Sequence, residues 1–166
     1  AILIVIFGFF FATVSSRMVG IVGSSNNPVS GMAIATLLFA TLCLKVTGDV
    51  GVHGMKGAIG IGSVICIIAA MAGDTSQDLK TGYILGATPK KQQIGELLGA
   101  VIAALTIGGV LVLLDSAWGF GTTELAAPQA TLMKTIVEGV MQGNLPWALV
   151  FIGVFIALVI EILGIS

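Results

Sequence analysis

The 166-residue chain is 57% hydrophobic and only 9% charged, with a mean hydropathy of +1.12, where an ordinary soluble domain carries about 25% charged residues. A soluble globule needs charge to cover its surface, and seven basic and eight acidic residues cannot cover one of this size, so the solvent of this chain is lipid. A net charge of −1 with no basic patch excludes a nucleic-acid partner.

The chain opens directly on AILIVIFGFF, without an initiating Met, a basic n-region or an A-x-A site. A signal peptide is therefore not expected, and the chain is expected to be an internal piece of a longer polypeptide. Spanning the hydrocarbon core takes about 20 residues, with 17–25 usual. Residues 1–16 predict a first span. The next charge-free run, 18–44, is too long for one span and begins MVGIVGSSNNPVSGM, whose Gly, Ser, Asn and Pro residues are poor helix formers. A span is predicted over 29–44, preceded at 18–28 by either a re-entrant break or a plain interfacial loop. Asn26 or Asn27 is expected to cap that span, with Pro28 in its first turn. Residues 57–73 and 97–114 each predict one span, and 147–165 the last, anchored at the interface by Trp147. Between the last two, Leu132, Met133, Ile136, Val137, Val140 and Met141 follow helical spacing with Lys134 and Glu138 off the stripe, which predicts an amphipathic helix over 130–142, lying along the interface or packed against the bundle. The fold class expected is all-α, a polytopic transmembrane helix bundle.

Alternation of these spans puts Arg17, Lys80, Lys90 and Lys91 on one side of the membrane and Lys45, Lys56 and Lys134 on the other. The Lys80–Lys91 cluster favours the cytoplasm for the first side. Residues 73–96, GDTSQDLKTGYILGATPKKQQIGE, read as a polar loop holding Asp74, Asp78, Lys80, Lys90, Lys91 and Glu96. Asp74 and Asp78 are spaced to share a helical face, with Lys80 in reach to neutralise one of them. Two readings stand here. The stretch is a solvated turn whose lysines meet anionic headgroups, or Asp74 and Asp78 take up protons or cations, because a carboxylate near the membrane needs a partner, water or a function. In SSNNP, Ser24, Ser25, Asn26, Asn27 and the bend at Pro28 offer neutral hydrogen bonds suited to a zwitterionic or chelated small molecule. Cys43 and Cys66 match neither a disulfide framework nor a zinc spacing, and Asp49 with His53 supplies only a pair of ligands, so no metal site or cofactor is expected. An intramembrane aspartyl protease needs carboxylates facing each other from separate spans, whereas Asp74 and Asp78 share one segment. No enzyme is expected.

SSNNPVSGM (24–32), GDTSQDLKTGYILGATPKKQQIGELLGA (73–100) and VEGVMQGNLPW (137–147) with the FIGVFIALVIEILGIS that closes the chain resemble the oligopeptide transporter family, its bacterial and yellow-stripe-like members above all. The DLKTGY…ATPKKQ stretch is the most specific part. The resemblance extends over nearly the whole chain, which would make about a quarter of a typical member. Asn27-Pro28-Val29 departs from the asparagine-proline-glycine of some peptide-carrying members. The resemblance implies a fragment of a larger secondary transporter, multi-pass in a bacterial inner membrane. It also implies proton-coupled symport of small peptides or metal-chelate, siderophore-type complexes. Its partners would be that substrate, protons or cations, lipid, the remainder of its own chain and, compatibly, further copies of itself. Ser24, Ser25, Asn26, Asn27 and Pro28 are then substrate-path candidates, and Asp74, Asp78 and Lys80 coupling or gating candidates. The alternative is a membrane-embedded structural or assembly subunit in which these polar segments serve only as turns.

Overall fold

In lipid every backbone N–H and C=O must be satisfied inside the protein, so charge-free runs that cross the bilayer become helices. The computed structural model describes residues 1–164, and the regular structure among them is all helical. The helices are α1 (Ile2–Val22), α2 (Val29–Val46), α3 (Val52–Leu85), α4 (Pro89–Ala117), α5 (Pro128–Gln142) and α6 (Trp147–Leu163), with one 3₁₀ turn at Ser24–Asn26. Four are individually long and apolar enough to cross a membrane, and α5 with α6, bent by 119° at their break, would make a fifth span if they form one. The protein is an all-α, multi-pass membrane bundle. Residue 165, the last of the predicted span 147–165, lies outside the described residues.

Two predicted segments differ. Residues 73–96 are helical apart from the turn at 86–88, not a loop. No proline interrupts the chain between Gly73 and Leu85, and Asp, Gln, Lys and Thr cost only tenths of a kcal/mol in a helix. The helix therefore continues until Gly86, which adopts the left-handed conformation (φ +73°) that closes it. At ~1.5 Å per residue α3 is about 51 Å long and α4 about 44 Å. Both exceed a hydrocarbon core of about 30 Å, so their joined polar ends project beyond it. Residues 18–22, predicted to belong to a re-entrant break or an interfacial loop, complete α1, and Gly23 (φ +82°) ends it. What remains, 23–28, is a short connection between two span-length helices. Neither Asn26 nor Asn27 caps α2: Pro28 occupies the cap position and no side chain bonds there.

The bundle is built around α3. Gly54, Ala58, Gly62, Ile65, Ala69 and Gly73 recur at helical spacing and are all buried, a mostly small-residue stripe of the kind that lets helix backbones approach closely in lipid. Along it α1 runs parallel: Gly8 faces Ile65 and Ile68, and the Ser15 and Ser16 hydroxyls donate to the carbonyls of Ala69 (2.5 Å) and Ala72 (3.1 Å). α2 runs antiparallel, with Leu37 over Gly62 and Leu44 over Gly57. At that end of α3 the amphipathic α5 packs into the bundle, its Val137 and Met141 joining Leu37 and Ala58 in one core. Lys45 Nζ donates to the Val140 carbonyl (2.6 Å) in the last turn of α5. Leu132 alone of the predicted stripe stays exposed, while Lys134 and Glu138 pair at 3.8 Å on the outer face. Among the described residues α4 touches only α3, and α6 packs on no other helix.

Candidate functional site

Polar groups converge where α1 ends, α2 begins and α3 passes between them. On α3, Lys56 near one end and Asp74 are about 27 Å apart at helical rise, so Asp74 stands at the edge of the hydrocarbon opposite Lys56. Beside it Gly73 admits the 23–28 connection: a Cβ there would lie 2.6 Å from Asn27 Nδ2, 2.9 Å from Val19 Cγ2 and 3.0 Å from Ser15 Oγ.

Through this contact the connection is tied to α1 and α3. Ser24 is held twice by α3, its N–H donating to Gln77 Oε1 (2.8 Å) and its hydroxyl to Asp74 Oδ1 (2.7 Å). Asn27 Nδ2 donates to Ser15 Oγ (2.7 Å), which in turn donates to the Ala69 carbonyl. Asn27 Oδ1 is enclosed and accepts no hydrogen bond among the described residues. Asn26 Nδ2 donates back to the Val22 carbonyl at the end of α1 (3.3 Å).

Of the cavities that flank α3 at this level, two carry charged side chains. One, of about 500 Å³, lies between α1 and α3 and is lined by Val19, Gly20, Gly23, Ser76, Gln77, Lys80 and Thr81. The other, of about 160 Å³, lies between α3 and α4 with Asp74, Asp78 and Glu96 on its wall. There Thr75 Oγ1 donates to Glu96 Oε2 (2.9 Å), while Glu96 Oε1 is enclosed without a donor among the described residues. Gln92 Nε2 donates to the Asp78 carbonyl (2.9 Å), stapling α4 to α3.

The predicted residues thus separate into groups. Ser24 meets Asp74, and Asn27 meets Gly73, as one cluster. Ser25, Asn26 and Pro28 are exposed on its rim. Asp78 shares a cavity with Asp74, as their spacing required, but Lys80 neutralises neither. Its ammonium points to the other flank, 5.4 Å from the centre of the Tyr83 ring, because residues 74 and 80 stand on different sides of α3. Sequence reasoning missed Ser15, Gln77 and Glu96 as partners, and Gly73 as the point of close approach. Hydroxyls at Ser15 and Ser16 inside an otherwise apolar run were the available signal. No group of His, Cys, Asp and Glu able to hold a metal ion occurs among the described residues.

The geometry is that of a multi-pass helical bundle whose small-residue central helix carries an acidic and a basic cavity toward one end. The family model described as OPT oligopeptide transporter protein matches residues 1–165, and the chain belongs to that family. It is 36% identical over 171 aligned residues to a putative oligopeptide transporter of Haemophilus influenzae, covering 92% of this chain and 27% of that protein. A putative oligopeptide transporter of Saccharomyces cerevisiae is 30% identical over 72% of this chain and 16% of its own length. A probable metal-nicotianamine transporter of Arabidopsis thaliana is 31% identical over 54% of this chain and 13% of its own length. The chain therefore spans about a quarter of the bacterial relative and less of the other two. No solved structure matches it.

Proposed function

We propose that this chain is part of a secondary active symporter of a bacterial inner membrane, which moves small peptides or metal chelates and is coupled to protons. The Haemophilus and Arabidopsis relatives, by their names, support the two substrate classes. The observation that carries the reading is the 2.7 Å bond from the Ser24 hydroxyl to Asp74. It joins an ionisable group at the membrane edge to the connection between two spans, so a change of charge at Asp74 alters what holds that connection to α3. Ser24 and Asn27 line the substrate path, with Ser25, Asn26 and Pro28 at its rim. Asp74 and Asp78 carry the coupling charge, and Lys80 contributes to gating from the opposite flank.

Uptake by the full-length protein in proteoliposomes tests this. Wild type is expected to concentrate a peptide or ferric chelate under an inward pH gradient. Asp74→Asn is expected to lose at least about tenfold of the gradient-driven rate, roughly 1.4 kcal/mol of coupling, while gradient-independent exchange persists. Unchanged coupled uptake by Asp74→Asn overturns the assignment of Asp74. No flux of any substrate by wild type favours the structural-subunit alternative instead.

A further inference from the structure

We propose that the 500 Å³ cavity between α1 and α3 is an anion subsite that takes a carboxylate of the transported molecule, held by Lys80 Nζ and Gln77 Nε2. The inference rests on the transport reading above and names the chemistry of the group carried.

The hydrogen-bond inventory of the cavity wall points to it. The hydroxyl protons are already committed: Ser76 donates to the Ser16 carbonyl (3.3 Å) and Thr81 to the Gln77 carbonyl (3.0 Å). Gln77 receives the Ser24 N–H on Oε1 (2.8 Å). A backbone N–H can bond only the oxygen of that amide, so its orientation is fixed and both Nε2 hydrogens stay available. Lys80 makes no salt bridge among the described residues. Its contact with the Tyr83 ring engages the charge without using the N–H groups as conventional donors. No acidic residue lines this cavity; Asp74 and Asp78 open on the other flank of α3. What the wall offers is therefore one positive charge and unused donors, the complement of a carboxylate. Gly20 and Gly23 leave the α1 side open, with no atom beyond their own chain neighbours and helix backbone within 4 Å of where a Cβ would stand at either. Its volume falls in the range of about 300–1,000 Å³ usual for small-molecule pockets. Ser24 joins the subsite to the ionisable group directly, holding Gln77 through its N–H and Asp74 through its hydroxyl.

The same chemistry would suit a lipid phosphate, and the test separates the two sources. It uses the full-length chain with its cysteines replaced by serine and Thr81→Cys as the reporter, in nanodiscs of phosphatidylcholine without or with phosphatidylglycerol. Maleimide labelling of position 81 is timed with trialanine, trialanine amide, ferric citrate or inorganic phosphate present. Trialanine or ferric citrate is expected to slow labelling about fivefold when the site is mostly occupied, and the amide to leave it unchanged. Lys80→Gln is expected to abolish the protection and Lys80→Arg to keep it; Gln77→Glu, which removes the donors without shortening the side chain, weakens it. Equal protection by acid and amide, protection that survives Lys80→Gln, or no protection by either carboxylate probe overturns the proposal. Protection by phosphatidylglycerol alone, with no probe effect in phosphatidylcholine, assigns the site to lipid and also overturns it. Labelling needs no gradient, so the two readings fail separately. A protein protected by these probes that carries none of them loses the transport reading and keeps an anion site. One that carries them but distinguishes acid from amide nowhere loses the subsite alone.

Discussion

A methyl group at Gly73 would collide with Asn27, Val19 and Ser15 at once, so Gly73→Ala has to lift the 23–28 connection away from α3. Overpacking of this kind costs about 1–3 kcal/mol. The full-length variant is expected to unfold at lower temperature in detergent than wild type, with Asn27→Ala added on top costing less than it does alone, since the two share one contact. Ser15→Ala leaves Asn27 Nδ2 without its acceptor (2.7 Å in the native protein), an unmade bond worth about 1–3 kcal/mol. Thermal unfolding reads that loss as well. At this scale the sequence exposed the suspects but not their partners. SSNNP and Asp74 stood out because polar residues are scarce in a chain that is 9% charged. That Ser24 would reach across fifty positions to Asp74 depends on where α1 stops against α3, and no local spacing encodes it.

Among the elements, α3 shows why a polar stretch is not a loop. Loop chemistry needs proline or clustered turn residues, and DTSQDLKTGYIL has a single glycine and no proline. The first strong stop is Gly86 at φ +73°. Gly86→Ala places a Cβ in the left-handed region at a cost of about 1–2 kcal/mol. It is expected to loosen the α3–α4 turn, read as faster amide exchange at 85–92. α5 was legible as amphipathic from its stripe, with the interface and the bundle both open as the surface it would cover, but the residues it meets were not. Periodicity gives a face, and the face here meets Leu37 and Ala58 rather than headgroups. Lys45→Met removes the ammonium from the last turn of α5 (2.6 Å to the Val140 carbonyl). Hydrogen bonds from charged groups are worth about 1.5–3 kcal/mol. Faster amide exchange at 137–142, with the rest of the bundle unchanged, is the expected result.

For the whole molecule, the parallel run of α1 with α3 and the antiparallel run of α2 bring Arg17, Lys80, Lys90 and Lys91 to one end and Lys45 and Lys56 to the other. Lys134 joins the second group through the packing of α5. With the Lys80–Lys91 cluster cytoplasmic, a membrane-impermeant thiol reagent applied to intact cells is expected to label Lys56→Cys and to spare Lys90→Cys. Labelling of position 90 and not 56 would invert the orientation. The large apolar side chains of α4 and α6, such as Leu105, Leu113, Phe151 and Phe155, are exposed. Among the described residues α4 packs only on α3 and α6 on no other helix.

The sequence by itself determined the solvent, the all-helical class and the family. These rest on composition, on the length of charge-free runs and on a motif of unusual polarity, each readable without knowing which residues touch. Only the tertiary structure decided that Asp74 and Lys80, six positions apart on one helix, serve opposite flanks of α3. It also decided that the Ser24 connection locks onto one of them. Helical rotation turns small differences in position into different faces, and the neighbour that each face meets is fixed by how closely a small-residue stripe lets the other helices approach.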